Sequence, residues 1–103
     1  MEALVFFGTI TKGVGRYVEL HLPGVDSLKG KRQILLSLKD RIQGKFNVSI
    51  AEVDEQDLWQ RAVLGVACVA NEQRHTNQVL DSVLNLVRAN PSVELVRQHM
   101  EFL

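Results

Sequence analysis

The sequence predicts an α+β protein in which two helices pack on one face of a four-stranded antiparallel sheet. Two segments with apolar residues at helical spacing separate segments with strand-like patterns, in the order βαββαβ. The run at 60–70 is apolar at both parities, which predicts a central strand covered on both faces. The 103 residues, 46% hydrophobic and 23% charged, fit a single domain over 1–103.

The first strand is predicted over residues 14–22, because apolar and polar residues alternate there. Tyr17, Glu19 and His21 share the parity that points away from the core in this interpretation. The run at 1–9 is a candidate N-terminal extension, either continuing the strand or forming a separate arm. It is too short to span a bilayer and no basic segment precedes it, so we predict neither a membrane anchor nor a signal peptide.

The first helix is predicted over residues 28–42. Ser27 is a favourable N-cap residue, and Gly44 stands at a typical C-cap position. Gly30 weakens the first turn, because glycine in a helix costs up to about 1 kcal/mol and a Glu or Gln there would complete a capping box. The apolar residues at helical spacing, which predict the side facing the core, are Leu28, Ile34, Leu35, Leu38 and Ile42.

A hairpin is predicted from strands at residues 47–53 and 60–70. In the first of these strands, Val48 and Ile50 are predicted to point inward. The connecting turn at 54–57 holds three carboxylates, which are ligands that divalent cations prefer. Acidic turns are also common without a metal, and this one lacks the glycine and distal glutamate of a calcium loop. We therefore favour a solvated turn and predict no metal site.

A second helix and a closing strand complete the pattern. Asn71 is a suitable N-cap, Asn90 stops the helix after Arg88, and residues 92–102 have the mixed polarity of an edge strand. The stripe of the second helix consists of Thr76, Val79, Leu80, Val83 and Val87. With right-handed crossovers this element order gives the sheet order 4-1-3-2, in which the first and third strands are central.

The charges of the chain are unevenly distributed, although the formal net charge is zero. Residues 1–46 hold eight Lys/Arg and four Asp/Glu, a net charge of +4, and the remainder is correspondingly acidic. Such a split is typical of an anion-binding or nucleic-acid-binding half, but also of two solvated surfaces. The single cysteine, Cys68, lies in an apolar run and predicts a buried thiol in a cytoplasmic protein without disulfides.

Two segments together resemble a known family. They are LPGVDSLKGKR at residues 22–32 and FNVSIAEVDEQDLWQRAVLGVA at residues 46–67. Both are similar to the YlxP-like family, small bacterial proteins of unknown function. The resemblance implies a ferredoxin-like fold, and a link to translation, because members are often encoded beside ribosome-maturation genes. The family usually has Glu where this chain has Gly30, and it supplies no catalytic residues.

The strongest candidate site is the basic first helix and the loop before it. A helix N-terminus presents free N–H groups and a partial positive charge, and nearby cations strengthen phosphate binding. The alternative is a solvated helix whose basic side chains cover the edge of the core. The candidate nucleic-acid-binding or phosphate-binding residues are Lys29, Lys31, Arg32, Lys39, Arg41 and Lys45.

Other chemistries of this topology are disfavoured by particular residues. An RNA-recognition motif needs outward aromatics on the central strands, and 60–70 has none; the Gly-x-x-Gly loop of a KH domain is also missing. An acylphosphatase-like enzyme needs an arginine in the first loop, where Asp26 stands. We predict no enzyme activity and no cofactor.

The sequence thus favours a non-enzymatic binding protein that contacts RNA or a ribosomal particle through its first helix. The alternative is a homo-oligomeric scaffold or a small-ligand sensor that uses the open face of the sheet. For that alternative, Tyr17, His21 and Trp59 are the candidate interface residues, and the predicted assembly is a homodimer.

Overall fold

Four strands and two helices follow one another in the predicted order in the computed structural model, which describes residues 12–70 and 72–102. They are β1 (Lys12–His21), α1 (Leu28–Lys45), β2 (Ser49–Asp54), β3 (Arg61–Ala70), α2 (Gln73–Arg88) and β4 (Glu94–Phe102). The sheet is antiparallel in the order β2-β3-β1-β4, which is the predicted order read from the other edge. The α+β fold is confirmed. The predicted extension at 1–9 lies outside the described residues.

β3 is central because β1 and β2 pair with its two edges. Its helix-facing residues Ala62, Leu64 and Val66 are buried among apolar side chains from both helices. On its other face, Ala67 is buried, whereas Val63 and Val69 are half-buried, so the described residues cover this face only in part. Burial of this apolar surface is the main favourable contribution to folding, at about 25 cal/mol per Å².

α1 begins at its predicted cap and ends later than predicted. The Ser27 hydroxyl accepts a hydrogen bond from the Gly30 N–H at 3.0 Å, which satisfies one free donor of the first turn. The prediction of Gly44 as C-cap is wrong. The helix continues to Lys45, and the extended backbone at Phe46 ends it, so no residue in the left-handed region is needed there.

α2 lies over β1 and β3 and buries most of its predicted stripe, together with Leu84. Its N-cap is Glu72, whose side chain makes no capping hydrogen bond; Asn71, the predicted cap, lies outside the described residues. The helix is also joined to β1 by an ion pair between buried Arg16 and exposed Asp81, whose Nη2 and Oδ1 atoms are 2.8 Å apart. A charged group on the buried face of β1 is thus compensated by α2.

Two loops meet at the end of the sheet where α1 begins. The loop at 22–27 turns at Gly24, whose φ of 74° lies in the left-handed region. The loop at 55–60 joins it through two hydrogen bonds: the Leu22 N–H donates to the Gln60 carbonyl at 2.9 Å, and Gln60 Nε2 donates to the Val25 carbonyl at 3.1 Å. These bonds hold the two loops together as one surface.

None of the helices in the described residues is both long enough and apolar enough to cross a membrane.

Candidate nucleic-acid interface

Lys31, one of the six predicted phosphate-binding residues, is buried with only 1% of its surface exposed. Its ammonium group donates hydrogen bonds to the carbonyl oxygens of Glu55 and Leu58, at 2.8 and 2.7 Å. The same Nζ lies 2.7 Å from Glu52 Oε2, a distance typical of an ion pair, although the two atoms are not aligned as a hydrogen bond. The prediction that Lys31 faces a nucleic acid is therefore corrected: its charge is used inside the domain.

The other five basic residues of α1 lie at or near the surface. Lys29, Arg32, Arg41 and Lys45 are exposed, and Lys39 is half-buried. The ion pairs formed among the described residues include none of these five side chains.

Three of these cations form one side of α1. Lys29, Arg32 and Lys39 follow the spacing i, i+3 and i+10, which places them in a row along the helix surface. Leu36 at i+7 lies in the same row and is 57% exposed. We call these four residues the basic row. The row starts at the helix N-terminus, where the partial positive charge of the helix dipole adds to the charge of these side chains.

The remaining two cations lie on a different side of α1. Arg41 and Lys45 line a groove of about 330 Å³ between the end of α1 and the second half of α2. Ser82, Asn85 and Asn90 supply polar groups on the α2 side of this groove. Hydroxyl and amide groups beside two cations provide hydrogen-bond donors for an anion.

The open face of the sheet is polar over β1 and β4. Tyr17 stacks on His99 with ring centroids 6.3 Å apart, and His21 Nδ1 lies 3.2 Å from Glu94 Oε2. Glu19 forms a longer ion pair with Arg97, at 3.7 Å. These cross-strand contacts engage two of the three predicted interface residues within the monomer.

The third predicted interface residue, Trp59, lies at the loop end of the domain. It is 52% exposed and follows Leu58, which is exposed as well. Together with His21, Gln60 and Arg61 it lines an open groove of about 550 Å³. Sequence reasoning brought together Trp59 and His21 as interface residues, and the structure places them in this one groove, while Tyr17 lines a separate hollow on the sheet.

The sequence from 16 to 100 matches the family described as "Protein of unknown function (DUF503)". The match covers most of the chain, including both helices, β2 and β3 in full and the greater part of β1 and β4. The chain belongs to this family. It is also 43% identical over 68 residues to the uncharacterized protein YlxP of Bacillus subtilis (strain 168), covering 66% of this chain and 74% of that protein. The predicted YlxP-like relationship is confirmed.

A solved structure supports the fold assignment for this family member. It is a C-terminal segment of the alpha subunit of aIF2 from Pyrococcus abyssi, with a TM-score of 0.54 and 15% identity. The likeness covers 89% of this chain and 53% of the other, so the chain spans about half the length of that structure. At this identity the likeness concerns the ferredoxin-like fold alone.

Sequence reasoning missed the pairing of Lys31 with Glu52, although both residues carry a signal. Lys31 precedes the buried Leu35 by four residues, so it belongs to the core-facing stripe of α1. Glu52 shares its parity with Ile50, which was predicted to point inward. A cation on a buried helix stripe and a carboxylate on the inward parity of the neighbouring strand together indicate a buried pair.

Proposed function

We propose that the protein binds RNA, as part of a ribosomal particle, through the exposed cations of α1, and that it does so without catalysing a reaction. The observation that carries the proposal is the absence of ion-pair partners for five cations on one helix, among the residues that the structure describes. The uneven charge of the sequence, +4 over residues 1–46, supports the same surface.

Ion pairing distinguishes the five cations of α1 from four other basic residues. Arg16, Lys31, Arg61 and Arg97 each lie within ion-pair distance of a carboxylate. Two further cations, Arg74 and Arg88 of α2, also form no ion pair among the described residues, but they do not lie in a row with other cations. Ion pairs neutralise charge locally, whereas an unpaired cation attracts solution counterions. When phosphates replace those counterions, their release favours binding and makes it dependent on salt concentration. A helix surface with unpaired cations is therefore suited to a phosphate backbone.

The basic row and the groove at Arg41 supply different parts of this surface. The row places three charges along one side of the helix, and the groove adds amide and hydroxyl donors at the other end of the helix. Neither part reads base edges, because exposed cations contact the backbone of any sequence. The expected binding is consequently salt-sensitive and weakly selective for sequence.

Charge reversal tests the proposal. The triple variant Lys29→Glu, Arg32→Glu, Lys39→Glu is expected to lose co-sedimentation with ribosomes and binding to a single-stranded RNA. A matched control, Arg74→Glu, Arg88→Glu, Arg97→Glu, changes the net charge equally on other elements and is expected to retain most binding. Equal loss in both variants, or binding that does not depend on salt, contradicts the proposal.

A second candidate function is a homo-oligomeric scaffold or small-ligand sensor that uses the sheet face. It is favoured by an open hollow of about 440 Å³ on that face, where Val53 is 42% exposed beside Val63 and Tyr17. We expect a concentration-dependent dimer in sedimentation equilibrium, and Val63→Glu to dissociate it. A chain that stays monomeric at every concentration contradicts the scaffold.

A further inference from the structure

The groove beside Trp59 is not explained by binding to a phosphate backbone. Trp59 and Leu58 expose about half of their surface, which leaves an apolar wall open to solvent. Half-exposed aromatic side chains in an open groove are suited to stacking on a flat partner. The groove is shallow, so such a partner enters by one face rather than being enclosed.

The same groove is attached directly to the start of the basic row. Lys31 Nζ donates a hydrogen bond to the Leu58 carbonyl oxygen at 2.7 Å. The residue before Trp59 is therefore held by a side chain of α1. Lys29 and Arg32 are neighbours of Lys31 in the first two turns of that helix. An apolar platform and two unpaired cations thus lie at the same end of the domain, joined by one lysine side chain.

Two of the three titratable side chains that line the groove are close to a carboxylate, and the third is itself a carboxylate. Arg61 Nε lies 3.7 Å from Glu55 Oε2, and His21 Nδ1 lies 3.2 Å from Glu94 Oε2. Asp57 adds a carboxylate to the lining. This balance disfavours an anion in the groove itself. It favours a neutral, planar group that stacks on the indole and forms hydrogen bonds at its edge.

We propose that the groove binds one unpaired nucleobase of the RNA strand whose phosphates contact Lys29 and Arg32. This inference rests on the proposed function and adds a base-binding subsite to it. The cations take the backbone, and Trp59 takes the base by stacking, a contact that accepts any base because each has a π-face. The partner is therefore a single-stranded segment, since paired bases have no free face to offer at this site.

The test uses the fluorescence of Trp59, which is the only tryptophan in the chain. Titration of the full chain with a short oligouridylate is expected to quench this fluorescence. Anisotropy of the labelled oligonucleotide is expected to show about tenfold weaker binding by Trp59→Ala, and binding close to wild type by Trp59→Phe. The control Val96→Ala removes an equally exposed apolar side chain from β4 and is expected to bind as wild type.

An oligonucleotide of the same length that carries abasic sites separates the two contacts. It keeps the phosphates, so it is expected to bind in a salt-dependent way with about tenfold lower affinity and without quenching. If Trp59→Ala binds RNA as well as wild type, the base subsite is refuted while the proposed function stands. If the wild-type chain binds no RNA at low salt, both are refuted. If the Trp59 fluorescence per molecule changes with protein concentration in the absence of RNA, a second copy covers the groove and the base subsite is refuted.

Discussion

Lys31 and Glu52 form an ion pair that joins α1 to β2, with 1% and 17% of their side-chain surface exposed. Because Lys31 also donates to two carbonyl groups of the loop at 55–60, one ammonium group fixes the helix start, the edge strand and the loop. Removing a charge from water is costly, and an ion pair with additional hydrogen bonds offsets that cost. The contact also positions Leu58 and Trp59 beside the helix.

Replacement of this lysine is expected to destabilise the fold strongly. In Lys31→Met, the Glu52 carboxylate remains largely buried without a cation, and two carbonyls lose their donor. We expect a loss of about 3 kcal/mol in the free energy of unfolding, measured by urea denaturation. The control Lys29→Met removes an exposed cation two residues away and is expected to change stability by less than about 0.5 kcal/mol. Equal stability of the two variants would show that the pair contributes nothing.

The element order was predictable because each segment has an unambiguous pattern. The order βαββαβ with right-handed crossovers predicts one sheet order, and the run at 60–70, apolar at both parities, agrees with the central place of β3 in it. The start of α1 was predictable from Ser27, since the cap depends on residues three apart in sequence. Local patterns of this kind are fully contained in the sequence.

The role of Lys31 was not predicted, because its charge was considered apart from its position. A lysine is usually exposed, whereas the helical spacing of Lys31 puts it on the stripe with Leu35. The outcome depends on Glu52 and on carbonyls of a distant loop, which only the folded chain brings together. The groove at Trp59 has the same origin, since its walls come from separate strands and a loop.

The salt dependence of RNA binding is expected to fall when cations of the basic row are neutralised. Each phosphate contact contributes about 0.7 to the slope of log K against log salt for a single strand. Arg32→Gln and Lys39→Gln are each expected to reduce the slope by up to that amount, measured by anisotropy across a salt series. Arg97→Gln, on the open face of the sheet, is expected to leave it unchanged. A slope that is the same in all three variants would place the phosphates elsewhere.

Three glycine substitutions test the local backbone of the first loop and helix. At Gly44 a Cβ meets nothing within 4 Å, so Gly44→Ala is expected to gain about 1 kcal/mol from helix propensity. At Gly30 a Cβ would lie 3.2 Å from Ser27 Oγ, and the hydroxyl must move slightly while keeping its bond, so we expect a smaller gain. Gly24→Ala is expected to destabilise by about 1 kcal/mol because of its positive φ.

Urea denaturation of the three variants measures this order. The difference between Gly44→Ala and Gly30→Ala reports on the Ser27 contact, because a Cβ meets a close neighbour only at Gly30. A larger gain at Gly30 than at Gly44 would show that the hydroxyl moves without cost, and stabilisation by Gly24→Ala would contradict the left-handed turn.

The thiol of Cys68 is expected to make the fold less stable at alkaline pH. Burial raises the pKa of Cys68 above its ordinary value of 9.0, because the thiolate is poorly solvated inside the domain. Well below pH 9.0 the thiol is protonated in both the folded and the unfolded chain, so stability does not change with pH through this group. As the pH rises through 9.0, the unfolded chain loses this proton first, so the free energy of unfolding falls until the pH passes the raised pKa of the folded thiol.

Comparison with Cys68→Ala isolates this effect from other groups that titrate at high pH. The free energy of unfolding of the wild-type chain should fall more between about pH 8 and about pH 10 than that of the variant. The same burial predicts that the folded thiol reacts slowly with a thiol reagent and rapidly once urea unfolds the chain. Fast reaction in the folded state, together with parallel pH profiles for the two chains, would show that Cys68 is accessible rather than part of the core.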